Sequence, residues 1–464
     1  MVFSSLTFLF AYLPVVLLVY FLVPVAFRNL VLLLVSLFFY GWGEPVYVVI
    51  MVFSIIINWI FGNFISRYRD TDRKRSRRYL TLCIIFNLLL LGFFKYWDFL
   101  AVNLNHLGLR AIHPLRLALP IGISFYTFQT MSYPIDLYRK ETDPQKSIVS
   151  FGAYVTMFPQ LIAGPIVRYT DIAKQLNERK ITRDSFFQGV MRFLCGLAKK
   201  VLLANQIGLI HDEISALPQG SQSVILAWLG ILAFAFQIYF DFSGYSDMAI
   251  GLGKMLGFDF LENFQYPYIS RSVTEFWRRW HMSLSFWFRD YVYIPLGGNR
   301  KGLKRQILNI LIVWMLTGLW HGASWNFIFW GVFYGVILIL EKLFLLDLLK
   351  KCPAWITHIY TMFIVLIAWV FFAFTDFSAG LRYLGVMFGN APVFNGLTLD
   401  YLRNYIVLFV LCAVASTPLF KDKLNILQNK KLAWAAPVLA VLCLLVCTAF
   451  IVDASYNPFL YFRF

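Results

Sequence analysis

Runs of about twenty apolar residues, the length a helix needs to cross a hydrocarbon core, recur along almost the whole chain. They lie near 5–25, 29–42, 45–65, 79–102, 117–135, 148–163, 186–210, 223–252, 306–340, 355–375, 402–420 and 432–453. So patterned, the chain is expected to be all-α. It should be a polytopic integral membrane protein with roughly ten to twelve transmembrane or re-entrant helices, some too short to span fully. No repeat of fixed period and no low-complexity linker interrupts them, so residues 1–464 are expected to form a single membrane domain. Only 14% of the residues are charged and 60% are hydrophobic, whereas a soluble domain carries about a quarter charged residues. That excludes a cytosolic globular enzyme, a disordered chain and a disulfide-rich secreted scaffold. The six cysteines match neither a zinc ribbon nor a CxxC redox pair, and no metal site is expected. A cleavable signal peptide is not expected either, because no Lys or Arg precedes the first apolar run and Pro14 interrupts it.

Against this apolar background stands a net charge of +17, from 41 Lys+Arg and 24 Asp+Glu. No nucleic-acid-binding module carries it. Short basic loops on the cytoplasmic side account for most of such an excess. Residues 67–78 hold Arg67, Arg69, Arg73, Lys74, Arg75, Arg77 and Arg78 against only Asp70 and Asp72, so this loop should face the cytoplasm and the N-terminus the outside. The clusters at 174–183, at Lys199–Lys200 and at 300–305 are expected on the same side. What charge remains could receive an anionic cytosolic substrate, such as a nucleotide-bearing molecule.

The run 306–340 is too long for one span. Its 35 positions would extend roughly 50 Å as one helix, against a core of about 30 Å. A break is offered by Thr317–Ser324, rich in glycine and small polar residues. Irregular backbone at that depth is tolerated only inside protein or beside a cavity. His321 sits in the break and is the only Asp, Glu, His, Lys or Arg of the run. An ionisable group so placed marks function by default, and burial keeps an imidazole neutral and able to accept a proton. His281 closes Glu275–His281, a stretch too rich in aromatics and charges for a lipid-facing span; it reads as an amphipathic or re-entrant helix near the interface. His106, His113, His211 and His358 are expected to be solvated or interfacial. In Gln237–Asp247, two carboxylates and several hydroxyls interrupt an apolar helix, and they suit a polar tunnel and a structural network equally well. No hydrolase triad, nucleophile elbow, Walker A or dinucleotide fingerprint is present.

Several stretches recur in order along nearly the whole chain: Met1–Ser5, Phe158–Arg168, Asp241–Asp247, Glu275–His281 running on to Pro295–Arg300, Gly318–Trp325 and Tyr456–Phe464. In these the sequence resembles the membrane-bound O-acyltransferase family, most closely its bacterial branch serving alginate O-acetylation. The resemblance implies acyl transfer by a polytopic enzyme with an essential buried histidine, which maps onto His321, and a second upstream position, which maps onto His281. It also implies a catalytic tunnel open to both faces, with Asp241, Ser243, Asp247, Trp280, Trp320 and Ser324 as lining or supporting residues.

On this reading no cofactor is tightly bound, and acetyl-coenzyme A is the acyl-donor substrate. Its phosphates would be attracted by Arg278, Arg279, Arg289, Arg300 and Lys301. His321 would take the proton of an acceptor hydroxyl attacking the thioester, and His281 would orient the acceptor or steady the oxyanion. The acetyl group would cross the bacterial cytoplasmic membrane to O-acetylate an extracytoplasmic polysaccharide, directly or through an extracytoplasmic acetyltransferase partner. The lipid bilayer, the acyl donor and the glycan are thus the expected partners, and nucleic acid is not. Two rivals remain: D-alanyl transfer from a carrier protein toward teichoic acid, and a glycan-precursor transporter with broken helices. A non-catalytic scaffold gives no reason for the histidine at the break.

Overall fold

The computed structural model describes residues 1–108, 112–419, 435–453 and 456–460, and among them there is no strand. Among the described residues, eight helices are long and apolar enough to cross a membrane: Val25–Gly43, Val48–Tyr68, Arg73–His106, Arg183–Ala216, Val224–Met255, Ala354–Ala373, Gly396–Ala415 and Ala435–Asp453. A shorter apolar helix, Phe8–Leu22, precedes them. The all-α polytopic architecture is therefore as expected. The twelve apolar runs and the eight long helices differ for physical reasons. Run 306–340 divides into the helices Leu303–His321 and Trp325–Leu340. Run 148–163 breaks at Met157 into two short helices, buried from Ser150 to Leu161. Run 117–135 becomes the helix Ile123–Arg139, buried on nearly every side despite Thr127, Gln129, Thr130, Ser132 and Asp136.

The described residues pack as two compact units, Met1–Phe193 with Ser246–Leu261, and Leu194–Tyr245 with Glu262–Phe464. In the first, the helices Val48–Tyr68, Arg73–His106 and Ile123–Arg139 pack on one another. An amide pair ties two of them: Asn87 Nδ2 donates to Asn58 Oδ1 at 2.8 Å and Asn58 Nδ2 donates back to Asn87 Oδ1 at 3.1 Å. Such pairs join helices where lipid offers no competing partner. The basic loop is anchored by Arg69, which donates to the carbonyls of Thr142 at 2.8 Å and Leu137 at 3.3 Å. Arg192 meets Asp247 at 2.6 Å.

The second unit is built around a hairpin of Leu303–His321 and Trp325–Leu340. The first helix stops at Gly322, whose backbone is extended (φ −169°, ψ 154°), and the second starts after Ser324, also extended. The two pack with almost no space between their backbones. A Cβ on Gly318 would lie 2.3 Å from Phe327 O, and one on Gly331 would lie 2.4 Å from Trp314 O. The side chain of Asn326 secures the turn by donating to the carbonyls of Phe371 and Phe374, both at 3.1 Å. Elsewhere in this unit Lys200 and Asp241 form a buried ion pair at 2.7 Å. It is completed by backbone: Asp241 Oδ2 accepts from Leu460 N at 2.8 Å, and Lys200 donates to Pro458 O. This corrects the reading of Lys199–Lys200 as a cytoplasmic cluster, since Lys200 is only 3% exposed. A charge near the end of an apolar run looks like a loop residue until its counter-ion is placed. Residues 461–464 of the terminal stretch lie outside the described residues.

Candidate functional site

His321 is the last residue of its helix and is buried among rings. Trp320 and Trp330 have their ring centres 5.1 Å from it, Phe372 5.3 Å and Phe327 6.5 Å. These rings form a cage around the imidazole. Gly322 is what lets the cage close, because a Cβ there would lie 2.2 Å from the Phe327 ring. Trp320 stands next to both histidines, its ring centre 5.9 Å from that of His281.

His281 lies between the short helices Val273–Arg279 and Met282–Phe288. Its backbone is left-handed (φ +45°), a region that costs a non-glycine residue free energy and marks sites held by their surroundings. What holds it is Asn263. The Asn263 Oδ1 accepts from the Ser283 backbone N–H at 3.2 Å and lies 2.9 Å from Ser283 Oγ and 3.1 Å from His281 Nδ1. A backbone N–H can only donate, so that atom is the amide oxygen and His281 Nδ1 must carry the proton. The lone pair therefore sits on Nε2, and the neutral ring can accept a hydrogen bond there but not give one. Burial reinforces neutrality by lowering the His281 pKa to about 3. Phe242 packs edge-on against the ring at 4.7 Å.

His281 also lines a cavity of about 270 Å³ together with Trp277, Arg278, Arg289, Trp314 and Thr317. Two of the five expected phosphate-attracting cations are thus on one cavity with a candidate catalytic histidine. Arg278 is exposed; Arg289 contacts Asp290 at 2.7 Å. The other three are elsewhere. Arg279 is committed to Glu275 at 2.8 Å and to Gln265 O at 3.1 Å, and Arg300 and Lys301 are exposed in the turn before Leu303.

Of the expected lining residues, Trp320 is between the histidines. Trp280 is buried against Phe264 and Trp369, both with ring centres at 5.1 Å. Ser324 donates to Asn326 Oδ1 at the helix break. Asp241 and Asp247 are engaged by Lys200 and Arg192, and neither lines the 270 Å³ cavity. Ser243 is buried beside them on the same helix. His211 departs from its expected solvated role: it is 6% exposed and its Nδ1 faces Gly230 O at 3.0 Å. It stands on a helix face turned toward the unit's interior, where a backbone carbonyl satisfies it.

Sequence reasoning missed Asn263 and Glu341. The Glu341 carboxylate is fully buried and accepts four hydrogen bonds: from Val273 N and Thr274 N, both at 2.7 Å, from Thr274 Oγ1 at 2.6 Å and from Tyr360 OH at 3.2 Å. It caps the helix Val273–Arg279, which carries Trp277 and Arg278 into the cavity wall and leads to His281. A carboxylate suits a helix N-terminus because the first-turn N–H groups have no acceptor within the helix. The only signal in the sequence was an acid directly after the long apolar run.

A family model described as MBOAT, membrane-bound O-acyltransferase family, matches residues 138–375. The chain is 43% identical over 392 residues to a probable alginate O-acetylase AlgI of Azotobacter vinelandii, covering 84% of this chain and 78% of that one. To the probable alginate O-acetylase AlgI of Pseudomonas putida it is 39% identical over 488 residues, covering 100% of both chains. A peptidoglycan O-acetyltransferase of Helicobacter pylori is 33% identical, over 100% of this chain and 98% of that one.

Proposed function

Because this chain belongs to the membrane-bound O-acyltransferase family, we propose that it takes an acetyl group from acetyl-coenzyme A at the cytoplasmic side of the bacterial cytoplasmic membrane and delivers it for O-acetylation of an extracytoplasmic polysaccharide. The acceptor is a glycan hydroxyl or a hydroxyl of an extracytoplasmic partner that passes the group on. One observation carries the reading. A single cavity is lined by His281, by Arg278 and Arg289, and by Thr317, one helical turn before His321.

In this scheme the guanidinium groups of Arg278 and Arg289 hold donor phosphates by charge-assisted hydrogen bonds. The aromatic wall of Trp277 and Trp314 takes the thioester arm. His281 accepts a hydrogen bond from the acceptor hydroxyl at Nε2 and orients it. With the lone pair on Nε2, the neutral ring has no proton for an oxyanion, so of the two roles expected for it the orienting one is supported. His321 removes the hydroxyl proton as the oxygen attacks the thioester carbonyl. The new C–O bond forms, the C–S bond breaks, and the proton on His321 passes to the departing thiolate. General-base catalysis of this kind contributes about 10²- to 10⁴-fold.

The test is polysaccharide acetylation in cells making the wild type or His321→Ala at equal membrane levels, paired with label transfer from labelled acetyl-coenzyme A to the purified protein's acceptor. His321→Ala should lose acetylation by about two orders of magnitude or more. Full acetylation by that variant would overturn the assignment, and transfer only from a D-alanyl carrier protein would replace the donor.

A further inference from the structure

A second cavity of the same unit shares no lining residue with the one at His281. It is about 480 Å³, and its walls include Phe236, Tyr268, Arg271, Trp355, His358 and Thr417. The helices fix its depth. Trp355 and His358 stand in the first turns of Ala354–Ala373, and Thr417 follows the last turn of Gly396–Ala415, both long and apolar enough to cross the bilayer. The cavity therefore lies where hydrocarbon gives way to headgroups, the level at which tryptophan and tyrosine concentrate. Trp355 is 65% exposed at its mouth.

Its polar groups fall into two kinds. Arg271 is exposed, and its backbone N–H reaches Glu275 Oε2 at 2.9 Å. Its guanidinium has no hydrogen bond or ion pair among the described residues, and the nearby Glu275 carboxylate is already held by Arg279. The others are acceptors. His358 Nδ1 lies 3.2 Å from Ser270 O, which can only accept, so Nδ1 carries a proton, and in the neutral ring Nε2 holds the lone pair. Thr417 spends its hydroxyl proton on Val414 O at 2.7 Å, leaving its oxygen to accept. One wall thus offers a cation for an anionic group, acceptors for a neighbouring donor, and an apolar surface, Phe236 with Trp355, for a chain.

We propose that this cavity binds the headgroup of a membrane glycerophospholipid. Arg271 holds the phosphodiester, His358 accepts from a headgroup ammonium or hydroxyl, and an acyl chain follows Phe236. The source is a bilayer lipid, not free phosphate, because the cavity opens at the ends of two spans and one wall is apolar. Basic pockets between spans are a recurrent way of holding such headgroups. Residues 268–271 run directly into the Glu341-capped helix Val273–Arg279, so a bound lipid would also steady the entry to the segment bearing His281.

The full-length protein is reconstituted in phosphatidylcholine nanodiscs carrying a few per cent of photoactivatable phosphatidylethanolamine or phosphatidylglycerol, and labelled peptides are mapped. Labelling is expected within residues 268–271 and 354–362. Arg271→Ala should lower it by about tenfold, the size of one charge-assisted hydrogen bond, and Arg271→Lys should restore part of it. His358→Phe should lower it less, and melting of each variant should match the wild type. Equal labelling of wild type and Arg271→Ala overturns the proposal. So does labelling scattered over all spans, which marks annular lipid only. Loss of labelling on adding millimolar inorganic phosphate makes this a soluble-anion site and likewise overturns it.

Discussion

Replacing Glu341 removes one acceptor group that four donors share. In Glu341→Ala the N–H groups of buried Val273 and half-buried Thr274 lose partners at 2.7 Å. Each backbone donor left without an acceptor costs roughly 1–3 kcal/mol. The hydroxyls of Thr274 and Tyr360 can turn to other acceptors, so they add little. The two backbone groups together predict a loss of about 2–5 kcal/mol, discounted for relaxation. Glu341→Gln is the sharper variant. Its single oxygen can serve one backbone N–H, but its NH₂ group then points at the other, donor against donor. About half the alanine loss is expected, roughly 1–3 kcal/mol. Equilibrium unfolding in a fixed detergent should rank wild type above Gln and Gln above Ala. Label transfer from acetyl-coenzyme A, read below the onset of unfolding, should fall in the same order, because the capped helix leads to Trp280 and His281. If Glu341→Ala unfolded like the wild type, the carboxylate would not be clamping that helix and the reasoning would fail.

Two further outcomes follow from packing and titration. Gly318→Ala should destabilise by more than about 1–3 kcal/mol, since its Cβ would meet the Phe327 carbonyl at 2.3 Å, a rigid backbone atom. Gly92→Ala, where a Cβ meets nothing within 4 Å, should be neutral or stabilising by up to about 1 kcal/mol; equal melting temperatures for the two variants would refute the close helix contact. Burial holds the His281 pKa near 3, whereas the unfolded chain titrates near 6.5. The unfolded state thus binds the extra proton first, and this contribution to stability is full above about pH 6.5 and falls by up to about 1.4 kcal/mol per unit as the pH drops toward 3. His281→Asn keeps a donor for Asn263 and has no proton to take up, so its melting temperature should drop less between pH 7 and 5. Superimposable pH profiles would show that His281 titrates normally in the folded protein.

The break in 306–340 was legible because it followed from a mismatch between helix length and bilayer thickness, and helix Leu303–His321 ends at Gly322, inside the expected stretch Thr317–Ser324. His321 could be singled out for the same reason. Asn263 could not, because it meets His281 across 18 residues in which loops and the short helix Val273–Arg279 alternate and no single period operates. Glu341 next to Lys342 looks like any interfacial charge until Val273 is brought against it. The polar interruption in Gln237–Asp247 was visible, but its meaning depended on Lys200 and Arg192, which lie on another helix. Composition shows that a buried carboxylate needs an answer; only tertiary structure says which residue supplies it.

The Lys200–Asp241 pair also bears on the order in which the protein can be made. Its hydrogen-bonding shell includes Leu460 N, 219 residues after Asp241. Synthesis is vectorial, so the helices carrying both charges enter the bilayer long before that N–H exists. The two side chains must therefore neutralise each other first and wait for the backbone of residues 458–460 to complete their shell. A nascent chain halted before residue 458 therefore holds a paired but under-coordinated carboxylate in its interior.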